Sequence, residues 1–139
     1  RFGQKTHAGW YDYAEGDRSP RESAKVGQMI DDYRKANGIA PRPFSDEEIV
    51  DRLVYALVNE GAKVLADGTA ARPSDIDMVY LNGYGFPLWR GGPMHYADAV
   101  GLDKVLARVR EFAQDAHGED WMPAARLVEL ADAGKRFNG

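Results

Sequence analysis

The sequence predicts an all-α protein of about six helices, and three observations carry that prediction. From residue 20 onward apolar residues recur at helical spacing. Proline and glycine stand where helices would start and stop, and no stretch after residue 14 alternates at the period of a strand.

The first 19 residues differ in kind from the rest. Gly3, Gly9 and Gly16 disfavour helix, and Trp10-Tyr11-Asp12-Tyr13 reads as a short extended segment with no strand to pair with. The chain opens on Arg1-Phe2-Gly3 without an initiator Met. It is therefore expected to be cut from something longer, with residues 1–19 the tail of a preceding unit.

Pro20 is expected to open a helix carrying Val26, Met29, Ile30 and Tyr33, ended by Asn37-Gly38. Pro41-Arg42-Pro43 then breaks the chain. Ser45-Asp46-Glu47-Glu48 is the strongest local signal: a serine cap with glutamate three residues on, and acids that suit the positive end of the helix dipole. The helix behind it bears Ile49, Val50, Leu53, Val54, Leu57, Val58, Val64 and Leu65 and closes at Asp67-Gly68. That face is too broad for a surface helix, so it is expected to be central.

Pro73-Ser74-Asp75-Ile76-Asp77 opens the next helix, with Ser74 expected as cap and Asp77 at the third position. Ile76, Val79 and Tyr80 should face inward, and Gly83 or Gly85 should stop it. A loop follows to Gly92, and Pro93 restarts a short helix with Met94 and Ala97. Gly101 separates it from an amphipathic helix with Val105, Leu106, Val109, Phe112 and Ala113, ended by Gly118. Pro123 begins the last, with Leu127, Val128, Leu130 and Ala131, ended by Gly134.

Composition bounds the chemistry. Hydrophobic residues at 44% and charged residues at 29% exclude wholesale disorder, and 139 residues can bury a core without staples. With no cysteine there is no disulfide, thiolate metal site or thiol nucleophile. A net charge of −4 argues against a nucleic-acid partner. No apolar run approaches the ~20 residues of a membrane span, and no signal peptide opens the chain. The expected location is cytoplasmic, in a bacterium.

His7, His95 and His117 lack the i, i+3 or i, i+4 spacing of a metal site, so no metal is expected. Ser23 and Ser74 sit in no nucleophile elbow, and Ser45 and Ser74 are explained as caps. Gly91-Gly92 before Pro93 would let backbone donors meet an anion beside Arg90. The preferred reading is structural: the glycines turn a buried loop whose Phe86, Leu88 and Trp89 fill the core. Arg90 would then satisfy loop carbonyls or a carboxylate such as Asp98. Asn59 and Glu60 interrupt the central helix. Glu60 is read as capping neighbouring backbone N–H groups or pointing toward Lys63 rather than as a catalytic acid, and Glu60 and Asp98 are the candidates for buried polar support.

Several stretches together resemble one family. Gly3-x-Lys5-x-x-x-Gly9-Trp10-Tyr11-x-Tyr13, Asn59-Glu60-Gly61 and Arg72-Pro73-Ser74-Asp75-Ile76-Asp77 are similar to the C-terminal domain of 3-hydroxyacyl-CoA dehydrogenase. The closest resemblance is Gly83-Tyr84-Gly85-Phe86-Pro87-Leu88-Trp89-Arg90-Gly91-Gly92-Pro93-Met94, followed by Tyr96-Ala97-Asp98. That run resembles the last helical repeat of the multifunctional β-oxidation proteins, which join an enoyl-CoA hydratase to this dehydrogenase. The resemblance covers essentially the whole chain. His7 departs from it, standing where the family's tail motif usually has glycine.

The resemblance implies an NAD-binding Rossmann domain followed by two helical repeats. Residues 1–19 would be the tail of the first, 20–43 a linking helix and Pro-rich turn, and 44–139 the second repeat. The family moves hydride from the 3-hydroxyl carbon of an acyl-CoA to NAD, with a histidine base held by a glutamate, both in the Rossmann domain. An asparagine near the start of the first repeat, together with a serine, completes that site. Asp51-Arg52-Leu53-Val54 stands where the first repeat has its Asn-Arg pair, and Asn59 belongs to another motif. No catalytic, cofactor-binding or metal residue is therefore expected here. NAD and acyl-CoA would be ligands of the full-length enzyme, and Arg90 would not touch the CoA phosphates. The expected partners are the Rossmann domain and first repeat of the same polypeptide. The separate chain would self-associate through its central helices or the 102–117 helix. The alternatives are a free-standing helical interaction module and an acyl-CoA-binding protein acting alone.

Overall fold

The structure, a computed structural model, describes residues 1–115 and 118–139. Two compact units divide the chain, residues 1–43 and residues 44–139. Six α-helices occur among the described residues: α1 (Ala24–Ala36), α2 (Asp46–Ala66), α3 (Pro73–Gly83), α4 (Pro93–Val100), α5 (Leu102–Phe112) and α6 (Ala125–Asp132). The all-α prediction holds.

In the first unit the extended segment finds partners within itself. Isolated antiparallel bridges join Gly3 to Ala8, Ala8 to Asp12 and Asp12 to Arg21. The Asp12 and Arg21 backbones exchange hydrogen bonds of 2.9 and 3.0 Å. That exchange corrects the predicted start of α1: Arg21 is extended, so the helix begins at Ala24, after Ser23, and not at Pro20. His7 has φ 54°, in the left-handed region that favours glycine.

The second unit is built around α2. The Ser45 hydroxyl accepts from the Glu48 N–H at 3.1 Å, so the predicted cap is present. Tyr55, Val58 and Ala62 turn inward to meet Met94 and Ala97 of α4, five apolar residues of α5, and Leu127 and Leu130 of α6. The helix is central, yet its apolar face is only partly covered: Ile49, Val50 and Leu53 are exposed. α4 approaches α2 at Gly61, where an added Cβ would lie 2.6 Å from the Met94 sulfur.

Three predicted boundaries move. Arg72, not Ser74, precedes the first turn of α3; Pro73 takes the first helical position, and the Asp75 carboxylate accepts from the Arg72 N–H at 3.1 Å. Val79 is exposed rather than inward. α5 ends at Phe112 rather than running to Gly118, and α6 starts at Ala125, two residues past Pro123. His117 lies outside the described residues.

Two polar devices tie distant segments to α2. Asn59, 3% exposed, donates to the Met122 carbonyl at 3.0 Å and accepts from the Ala124 N–H at 2.8 Å. This one side chain fixes the approach to α6. The other device surrounds the buried Phe112 ring, with the Arg52 guanidinium 4.1 Å and the Arg108 guanidinium 4.7 Å from its centroid. Arg52 pairs with Glu48 and Asp115, and Arg108 with Asp51 and Glu111. The Asp51-Arg52 pair thus braces α2 against α5.

Asn59→Ala removes two hydrogen bonds and leaves the Ala124 donor buried without its acceptor. It should lower the unfolding free energy by about 2 kcal/mol in a urea titration. An unchanged midpoint would show that α6 is not held through Asn59.

Candidate functional site

The loop between α3 and α4 returns the chain to a helix start that is already occupied. Asp77, one turn into α3 and buried, accepts from the Met94 N–H at 2.7 Å and from the His95 N–H at 3.2 Å. A carboxylate at a helix N-terminus satisfies orphan donors and suits the dipole. Burial pushes the Asp77 carboxyl above its ordinary value, and the two backbone hydrogen bonds work against that shift.

Gly91 and Gly92 make this closure possible. Their φ values are 75° and 101°, and a Cβ on Gly92 would lie 2.4 Å from the Asp77 carboxylate. The anion that this glycine pair accommodates is the chain's own. Sequence reasoning placed Asp77 at a helix start and missed this role. The available signal was an acid on one helix followed by Gly-Gly-Pro at the start of the next.

The loop itself is not buried, which corrects the expectation for Phe86, Leu88 and Trp89. Tyr84 is 75% exposed and Leu88 and Trp89 are each 78% exposed. Phe86 alone is half-buried, its ring edge-on to Tyr80 at 6.5 Å, while Tyr84 tilts against the same ring at 5.2 Å. Gly83 is the last residue of α3, and Gly85 takes φ 69° in the turn that follows. Pro87 precedes a short 3-10 turn over Leu88–Arg90, and Pro93 is the first residue of α4.

Arg90 also departs from expectation. Its guanidinium stands 4.3 Å from the Trp89 ring centroid and 4.8 Å from that of Tyr96, with no hydrogen bond or ion pair among the described residues. Asp98 is engaged elsewhere, accepting from the Phe137 N–H at 2.7 Å and the Asn138 N–H at 2.9 Å. It pins the end of the chain to α4. Glu60 is exposed and pairs with Lys63 at 3.0 Å, so it gives no buried support; its neighbour Asn59 holds the neighbouring loop.

A cleft of about 770 Å³ lies among α2, α4 and α5. Asp46, Glu47 and Tyr55 line one wall, and Arg90, Tyr96 and Lys104 the other. Burial, then the charge of Asp51, pushes the Tyr55 phenol far above its usual range, so it stays protonated. No group of three potential metal ligands occurs among the described residues, and every buried side-chain polar atom there has a partner. No described helix is long and apolar enough to cross a membrane.

Fold and site define an all-α domain whose buried polar groups hold its own segments together beside an open, charged cleft. Residues 49–137 match the family 3-hydroxyacyl-CoA dehydrogenase, C-terminal domain, and the chain belongs to that family. It is 48% identical over 113 residues to a peroxisomal bifunctional enzyme of Danio rerio, covering 81% of this chain and 16% of that protein. To the peroxisomal bifunctional enzyme of Homo sapiens it is 41% identical over 136 residues, covering 96% and 19%. To a fatty acid oxidation complex subunit alpha of Psychrobacter sp. (strain PRwf-1) it is 33% identical over 137 residues, covering 99% and 19%. The chain spans less than a fifth of these longer relatives. Dehydrogenases of this family use NAD.

Asp77→Ala strands the buried Met94 donor and the half-buried His95 donor and should cost about 2 kcal/mol of stability, read by urea unfolding at neutral pH. Asp77→Asn, which keeps one acceptor, should cost less. Because the folded carboxyl titrates above its unfolded value, its own linkage adds stability as pH falls through the raised value. The loss in Asp77→Ala should therefore not shrink through early protonation of the unfolded chain. Equal stability of Asp77→Ala and the unaltered protein would contradict the cap.

Proposed function

We propose that this chain is the non-catalytic helical part of an NAD-dependent 3-hydroxyacyl-CoA dehydrogenase of fatty-acid β-oxidation. In that enzyme 3-hydroxyacyl-CoA is oxidised to 3-oxoacyl-CoA. The observation that carries the reading is the family match over residues 49–137, which falls on the self-contained helical unit 44–139. Residues 1–19 are the tail of a first repeat in this reading, 20–43 a linker, and 44–139 the second repeat. The Rossmann domain and the first repeat are its partners in one polypeptide, working in the cytoplasm of a bacterial cell.

This chain's residues do not fit NAD. A dinucleotide site uses glycine turns to aim free helix N-terminal donors at a pyrophosphate. Here the glycine-flanked start of α4 is closed by Asp77, whose charge would oppose a phosphate. The cofactor and the acyl group are held elsewhere in the enzyme, and no step of hydride transfer runs through these residues. The contribution of this domain is positional: a rigid helical body that closes one side of the substrate cleft and excludes water.

Exposed apolar side chains on α2 (Ile49, Val50, Leu53), α3 (Met78, Val79) and the loop (Leu88, Trp89) supply a surface for such packing. The outward residues of α5, Asp103, Lys104, Arg110 and Glu111, are charged, so α5 is a poor docking face. The 102–117 helix drops out of the self-association reading, and α2 with α3 remains.

Two measurements test the proposal. The isolated chain, free of host dehydrogenase, should form no NADH from a 3-hydroxyacyl-CoA above a heat-killed control; steady turnover would sink the non-catalytic assignment. In sedimentation velocity at tens of micromolar it should run as a dimer, which Leu53→Glu disperses. A single species at monomer mass without the substitution would show that this face needs no cover.

A further inference from the structure

The cleft among α2, α4 and α5 contains cations that the fold does not use. Arg90 is half-buried, its guanidinium carbon 4.3 Å from the Trp89 ring centroid and 4.8 Å from that of Tyr96. Its five donors meet no carboxylate or carbonyl among the described residues, and its recorded contacts are the two rings. Lys104, at the first turn of α5, lines the same wall and likewise has no ion pair there. Arg108, the third cation of the cleft, differs: Asp51 and Glu111 hold it. The remaining charges are Asp46 and Glu47 on the opposite wall, where the N-terminus of α2 stabilises them.

The geometry points to a phosphate monoester site on the α4–α5 wall, with Arg90 as the bidentate donor and Lys104 as the second cation. An arginine held between two aromatic rings loses less freedom on meeting a forked oxyanion. Two unpaired cations match the near-dianionic charge of a phosphate monoester at neutral pH better than that of a carboxylate. The acids across the cleft require the rest of the ligand to be uncharged or to donate hydrogen bonds toward Asp46 and Glu47. This inference reverses the purely structural role expected of Arg90, and it does not depend on the dehydrogenase reading.

The test follows the Trp89 indole N–H resonance of the ¹⁵N-labelled chain at constant ionic strength. Inorganic phosphate and adenosine 5′-monophosphate are titrated separately. Both should give saturable shifts, weakened about tenfold by Arg90→Met and by Lys104→Met, and unchanged in Lys63→Met, whose side chain pairs with Glu60 instead. Arg90→Lys, which keeps the charge and loses the fork, should fall between. Tighter binding of the nucleotide points to an ester as the source, and equal binding to the free ion; either supports the site. Shifts that fail to saturate, that sodium chloride reproduces, or that persist undiminished in an Arg90→Met chain with an unaltered spectrum elsewhere would overturn it.

Discussion

A buried carboxylate one turn into a neighbouring helix sets the geometry of the second unit. Asp77 lies between the apolar faces of α3 and α4, where an unpaired charge would be costly to desolvate. Two backbone donors and the dipole of α4 offset that cost. The consequences spread from there. Met94, which donates the shorter bond, is fully buried against Gly61 of α2, so the cap also sets the depth at which α4 packs. With both ends of the loop fixed, Tyr84–Arg90 is displayed outside the core. Arg90 is then held by its neighbours' rings rather than by a salt bridge.

A division of labour follows among the polar residues. Asn59 and Asp98 each hold backbone groups far away in sequence, the one at residues 122 and 124, the other at 137 and 138. Asp51 and Arg52 are adjacent on α2 and reach α5 together, Asp51 through Arg108 and Arg52 over the Phe112 ring. The buried polar side chains among the described residues are all engaged in holding segments together.

Local signals were legible in the sequence and long-range ones were not. The start of α2 is written in four adjacent residues, because the Ser45 cap closes on Glu48 within one turn. Gly92-Pro93 likewise marks the start of α4. Ser74 was misplaced by two residues because Arg72 and Asp75 close the same kind of turn from another position. Pro20 failed as a helix start because Asp12, eight residues earlier and one bridge away, keeps Arg21 extended. The loop was misread for a different reason. Aromatic density signals burial only where something covers it, and Leu88 and Trp89 belong to a surface that α2–α6 leave open. Glu60 and Asn59 are adjacent on one helix, so only the phase of α2 against α6 decides which of them is buried.

Amide hydrogen exchange at Met94 and His95 tests the role of Asp77 most directly. Both lie in the first turn of α4, where uncapped N–H groups have no intrahelical acceptor and exchange freely. If Asp77 holds them, their protection should match that of core amides such as Val58 and Val109, and should vanish in Asp77→Ala while the α5 amides stay protected. Exchange of Met94 and His95 at the rate of the exposed loop amides would contradict the cap and the loop placement that depends on it.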